Sequence, residues 1–144
     1  VTGVNGSSSL FRQLVLDGDP LPVRGLRTML TSFLRDRCVD EKVQRAVVLA
    51  FSEALENAVE HGLVGSRGLV HVRLRYAPRF ICVSLRDSGS DKTPLGVPVT
   101  QGDDAERGRG FQLMHTLMDY VKVKSYPDGG TRVSMLRRLD RSCD

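Results

Sequence analysis

The stretch Phe51-Ser-Glu-Ala-Leu-Glu-Asn-Ala-Val-Glu-His-Gly62 decides how the rest of the chain is read. It is the second half of a segment in which Val43, Ala46, Val47, Ala50, Ala54 and Ala58 recur at helical spacing along one face. Glu53, Asn57 and His61 stand four residues apart, so they stack on another stripe of the same helix. A carboxylate, an amide and an imidazole in a row can hold a metal ion and handle a proton. On an arbitrary helix such a stripe is usually a solvated polar face, so the surrounding sequence has to decide.

Upstream, Asp40 is a good N-cap for this helix, and Glu41 suits the dipole of its first turn. The helix is expected to reach His61, with Gly62 as its C-cap. Before it, Leu26, Met29, Leu30, Phe33 and Leu34 predict another helix after Pro20 and Pro22. Leu10 to Leu16 suits an edge strand, and Asp17-Gly18-Asp19-Pro20 a turn.

Downstream the period changes to two. Val70, Val72, Leu74 and Tyr76 alternate with His71, Arg73 and Arg75, and Ile81, Val83 and Leu85 repeat the pattern after Ala77-Pro78-Arg79. That is a hairpin. Asp87 to Arg109 carries six Gly or Pro residues without an apolar stripe and reads as one long loop, a length usually reserved for function or disorder. Gly110 to Asp119 resumes helical spacing through Phe111, Met114, Leu117 and Met118. Val121–Tyr126 and Thr131–Arg137 are two further strands around Asp128-Gly129-Gly130. Helices interrupting antiparallel strands predict an α/β sandwich of the α+β class: a mixed, mostly antiparallel sheet with helices on one face.

Composition narrows the function. The chain has 144 residues, 40% of them hydrophobic, enough for one domain with a core. No apolar run approaches the ~20 residues of a membrane span, and the polar start has no signal-peptide pattern. The missing initiator Met leads us to expect an altered start or a piece cut from a longer protein. Cys38, Cys82 and Cys143 include no C-x-x-C pair, which argues for a reducing, cytoplasmic setting and against a disulfide or zinc framework. The net charge is +4, but no basic run, helix-turn-helix or zinc signature marks a nucleic-acid binder. Arginines awaiting phosphates or acidic protein surfaces fit the same charge.

Two further sites accompany the Glu53–Asn57 stripe. Asp87-Ser88-Gly89 ends a strand: the carboxylate can accept from a ligand amino group, and glycine lets the backbone approach a flat ring. Alone it would be ordinary turn chemistry. Arg107-Gly108-Arg109-Gly110 enters a helix, where backbone N–H groups, the dipole and two guanidinium groups suit a phosphate. It is not a dinucleotide fingerprint, because Leu113 occupies the third glycine position.

In this order, the carboxylate–amide helix, strand-end Asp with Gly, long loop, Gly-Arg-Gly and final Gly-Thr strand resemble the GHKL ATPase superfamily, with its Bergerat-type ATP-binding fold. The chain looks most like the small anti-sigma-factor serine kinases of bacterial sporulation and stress switches. Residues 52–62 match that subfamily's first motif, residues 108–114 its phosphate motif, and the resemblance spans 10–139. It implies a domain over 10–139 between a tail or linker at 1–9 and a polar tail at 140–144. It also implies Mg²⁺ and ATP as ligands. Asn57 would coordinate Mg²⁺, and Glu53 would be the general base for a substrate serine. Asp87 would bind adenine with Thr131 in support, and Gly89 would line the base. Arg107, Gly108, Arg109 and Gly110 would hold phosphate, under an ATP lid from Ser90 to Arg107. The implied partners are an anti-sigma-antagonist protein as substrate, a sigma factor and a second copy in a homodimer, with neither nucleic acid nor membrane bound directly. A non-catalytic ATP-binding or docking module of a larger regulatory protein is the alternative, or a histidine-kinase catalytic domain. The chain departs from the wider superfamily at Ser90, where a second glycine is frequent, and carries Asp103, Asp104 and Glu106 beside the phosphate motif.

Overall fold

In the computed structural model, residues 7–16, 21–58, 68–87, 105–127 and 130–140 are described. Period-two alternation builds the sheet first. Strands β1 (Ser8–Leu16), β2 (Gly68–Ala77), β3 (Phe80–Asp87), β4 (Tyr120–Ser125) and β5 (Thr131–Arg138) form one sheet in the order β1-β2-β3-β5-β4. Every described pairing is antiparallel, which resolves the expected mixed sheet to its antiparallel form. β2 and β3 are joined through Pro78 and Arg79, so that Val72 faces Leu85 and Leu74 faces Val83. On β5, Val133 and Met135 continue the same two rows. These side chains are buried and form the sheet side of the core.

Three helices complete it: α1 (Leu21–Asp36), α2 (Glu41–Asn57) and α3 (Ala105–Leu117). α1 buries Leu26, Leu30, Phe33 and Leu34, the stripe its spacing predicts. Its end is a Schellman turn: Val39 N–H donates to the Leu34 carbonyl at 3.1 Å and Cys38 N–H to the Arg35 carbonyl at 2.9 Å. Cys38 takes the left-handed position there, at φ 54°, where glycine is usual. Arg37 then ties α1 to β1, donating to Ser8 Oγ at 2.6 Å with its guanidinium over the Phe33 ring.

Asp40 caps α2 as expected, its carboxylate accepting from Lys42 N–H at 3.1 Å. Val47, Ala50, Phe51, Ala54 and Leu55 are buried, which leaves Glu53 and Asn57 on a half-buried flank. The helical backbone continues into Ala58; the expected extension to His61 and the Gly62 cap lie outside the described residues. So does the Asp128–Gly129 part of the last turn. Gly130 is left-handed at φ 87°, and its carbonyl accepts from Tyr126 N–H.

One expectation is corrected. α3 begins at Ala105, five residues before the predicted start at Gly110, so the expected loop ends earlier and Arg107–Gly110 lie inside the helix. Two glycines weaken a helix by about 1 kcal/mol each relative to alanine, which is why the segment reads as a loop. Packing offsets that deficit. Met114 and Met118 are buried in the core, and Arg137 donates to the Leu117 carbonyl at 2.7 Å at the helix end. Among the described residues, no helix is long and apolar enough to cross a membrane.

Candidate functional site

The helical register of α2 brings Glu53 and Asn57 to one flank, one turn apart, and α3 crosses that flank at Gly110. The crossing is close. A Cβ added to Gly110 would stand 3.2 Å from Glu53 Oε2, 3.5 Å from Asn57 Nδ2 and 3.7 Å from Asn57 Oδ1. The glycine is therefore a notch into which the carboxylate and amide fit. Gly110 itself is buried.

Asn57 Nδ2 is buried with no hydrogen-bond partner among the described residues. A buried polar group left unsatisfied costs about 1–3 kcal/mol, so this nitrogen is poised to donate to an acceptor. The amide oxygen beside it is a hard donor of the kind Mg²⁺ uses. Among the described residues no three His, Cys, Asp or Glu side chains come together. A metal held at Asn57 would thus take most of its ligands from phosphate and water, the usual pattern for Mg²⁺ at a nucleotide. The notch and the unsatisfied amide fit such a group.

A second pair forms at the end of the sheet. Arg86 of β3 faces Arg132 of β5, so Asp87 and Thr131 are the next residues on those strands, and they project to the core side. Both are buried, at 3% and 4% exposure, and they are the two buried polar residues among those described. Evolution of a simple core would place apolar side chains in such positions; a carboxylate and a hydroxyl side by side suit recognition of a polar ring edge instead.

The predicted site residues thus fall into two groups. Glu53, Asn57 and Gly110 converge, and Asp87 and Thr131 are neighbours across two strands. Arg107 and Gly108 lie in the early part of α3, and Arg109 is exposed on it. Gly89 and the lid residues 90–104 lie outside the described residues. What the sequence did not reveal is the role of Gly110. Its N–H lies beyond the first turn, where helix N–H groups are already bonded along the helix. Its structural contribution is the missing side chain. A glycine at a position otherwise periodic within a helix is the available signal for such a close approach.

The chain matches the histidine kinase-like ATPase domain family over residues 17–137. It is 30% identical over 124 residues to the anti-sigma F factor of Bacillus subtilis strain 168, a match covering 81% of this chain and 84% of that protein. With the anti-sigma F factor of Clostridium novyi strain NT the identity is 35% over 100 residues, covering 65% and 69%. A crystal structure of the RsbU and RsbW domains of Rv1364c from Mycobacterium tuberculosis shares the fold, with TM-score 0.66 and 24% identity. That similarity covers 90% of this chain and 32% of the longer one, so this chain spans about a third of it.

Proposed function

Because the chain belongs to the histidine kinase-like ATPase domain family, with bacterial anti-sigma F factors among its relatives, we propose that it is an ATP-dependent protein serine kinase acting as an anti-sigma factor. Residues 10–139 would be the catalytic unit. Its substrate would be a serine of an anti-sigma-antagonist protein, and it would alternately sequester a sigma factor in the cytoplasm, as a homodimer. The observation that carries this reading is the α2–α3 crossing, where the buried amide nitrogen of Asn57, with no hydrogen-bond partner among the described residues, and the Glu53 carboxylate flank a glycine notch.

Asp87 and Thr131 would receive the adenine edge, with Gly89 beside the ring. The early part of α3 would face the phosphates with its N–H groups, and Arg107 and Arg109 would add charge-assisted donors. Gly108 and Gly110 would keep that approach free of side chains. Asn57 Nδ2 would donate to a phosphate oxygen. Mg²⁺, when bound, neutralises phosphate charge, and Asn57 Oδ1 would be its protein ligand.

Glu53 then acts as the base. It takes the proton of the substrate serine as the serine oxygen bonds to the γ-phosphorus and the bond to the departing ADP oxygen breaks. Such a base contributes typically ~10²–10⁴-fold, while positioning and charge neutralisation supply most of the remainder. The phosphate adds about −1.5 to −2 charge to the antagonist, enough to disrupt an interface and exchange partners.

The test separates the two roles. Glu53→Ala should bind Mg·ATP like the wild type yet transfer no labelled γ-phosphate to a co-purified antagonist. Asn57→Ala should lose Mg·ATP binding. Normal transfer by Glu53→Ala would remove Glu53 as the base.

A further inference from the structure

The side of the sheet away from the helices has a composition that nucleotide chemistry does not use. Cross-strand partners share a face, so the registers define it. One row runs His71, Arg86, Arg132, Lys124 across β2, β3, β5 and β4. The next runs Arg73, Ser84, Ser134, Lys122, and the third Arg75, Cys82, Leu136, Tyr120. Arg138, facing Phe80, closes the face.

Seven lysines and arginines lie in these rows and no Asp or Glu does. With 21 basic and 17 acidic residues in the whole chain, the remainder taken together holds 14 bases against 17 acids. The chain's net positive charge is thus matched by the seven cations of this face. Six of the seven cations are exposed and Arg86 is half-buried. None forms an ion pair among the described residues; the Asp119 carboxylate accepts from the Arg138 backbone N–H.

This arrangement works against the fold. Arg132 stands directly opposite both Arg86 and Lys124, and like charges directly opposite are destabilising. Their shared relief is the ring of Tyr126, whose centroid is 4.0 Å from Arg86 Cζ, 5.1 Å from Lys124 Nζ and 5.7 Å from Arg132 Cζ. One ring cannot neutralise three charges.

We propose that the outer face of the sheet is a docking surface for an acidic protein partner, separate from the nucleotide site. The middle of the face is low and uncharged, made by Cys82, Ser84, Ser134 and Leu136, with cations on both flanks. A low central strip inside a charged rim is the anatomy of a protein interface. Single-stranded nucleic acid would want aromatic platforms, but the exposed aromatics Phe11 and Tyr120 sit on opposite edge strands, about 19 Å apart at the usual strand spacing. A second copy stacked on the same face would set seven cations against seven. An acidic surface, with carboxylates matching the guanidinium forks, meets the face at every row.

The probes are an 18-residue amphipathic peptide rich in Glu and Leu and a thymidine oligonucleotide of equal charge. Each is titrated at ~0.02 M and ~0.15 M salt, where screening differs strongly. The full chain and an Arg132→Thr/Lys124→Ser variant are compared. The peptide should bind the wild type more tightly than the oligonucleotide does. The variant should bind it about tenfold more weakly, as expected for two lost charge contacts. Its melting temperature should equal or exceed that of the wild type, because like-charge pairs have been removed. Glu53→Ala should bind the peptide normally, so failure of the kinase reading leaves this one intact. Tighter oligonucleotide binding, unchanged peptide affinity in the variant, a lower melting temperature, or a wild-type dimer that the variant dissociates would each overturn the proposal.

Discussion

Replacing Gly110 by alanine separates the site's chemistry from its stability. The added methyl would lie 3.2 Å from Glu53 Oε2, so the carboxylate must give by a few tenths of an ångström. The contacts to Asn57, at 3.5 and 3.7 Å, are ordinary. Gly110 is not in the left-handed region, so alanine meets no backbone strain, and alanine in a helix is favoured over glycine by up to ~1 kcal/mol. A flexible carboxylate moves at little expense, so the net change should stay within ~1 kcal/mol, about 3 °C in melting temperature for a chain of this size. The ligand side behaves differently. The methyl occupies the notch that a phosphate or metal would share with Asn57, and Mg·ATP affinity should fall at least about tenfold, ~1.4 kcal/mol. Thermal unfolding and calorimetric titration of the same preparation read both quantities. Unchanged ATP affinity in a folded Gly110→Ala protein would refute the notch as a ligand site. A loss of several kcal/mol in stability would refute the packing estimate.

Other perturbations address the fold and its titrating groups. Cys38→Gly places glycine in the left-handed position of the α1 turn and should raise stability by about 0.5–1 kcal/mol, read from a urea midpoint; a decrease would show that the Cys38 side chain contributes more than its backbone strain removes. Phe51→Ala empties a fully buried position and should cost about 3–5 kcal/mol, seen as a large fall in the same midpoint. Burial raises the pKa of Cys82 above its ordinary 9.0, and the nearby Arg75 opposes the shift. The folded state therefore holds this proton more firmly than the unfolded chain. Its contribution to stability is complete below the unfolded thiol's pKa and is lost as pH rises through the folded one. Alkylation of Cys82 should accelerate at higher pH than that of a short unfolded peptide, and at higher pH still in Arg75→Gln; an unmoved profile in that variant would remove Arg75 as a cause.

Much of this was legible in the sequence because local pattern and tertiary burial agree. The α2 stripe, the Asp40 cap and the alternation at Val70–Leu74 and Ile81–Leu85 each point to the element that forms. Disagreement arises where packing overrides propensity. Ala105 to Arg109 offers polar residues and glycine, and it becomes the start of α3, a helix held further along where Gly110 meets α2 and Met114 enters the core. Cys38 ends α1 without the glycine that would announce such a turn. The order β1-β2-β3-β5-β4 depends on the non-local pairing of β3 with β5, which no local pattern encodes. That same pairing makes neighbours of Asp87 and Thr131 on one side of the sheet. On the other, it gathers cations from four strands into a single basic face.

The most direct test of nucleotide binding is calorimetric titration of the wild-type chain with ATP, with and without Mg²⁺. Saturable heat that requires Mg²⁺ and disappears in Asn57→Ala is the expected result. No binding at millimolar ATP with Mg²⁺, or binding that Asn57→Ala leaves intact, would contradict an ATP site at the α2–α3 crossing.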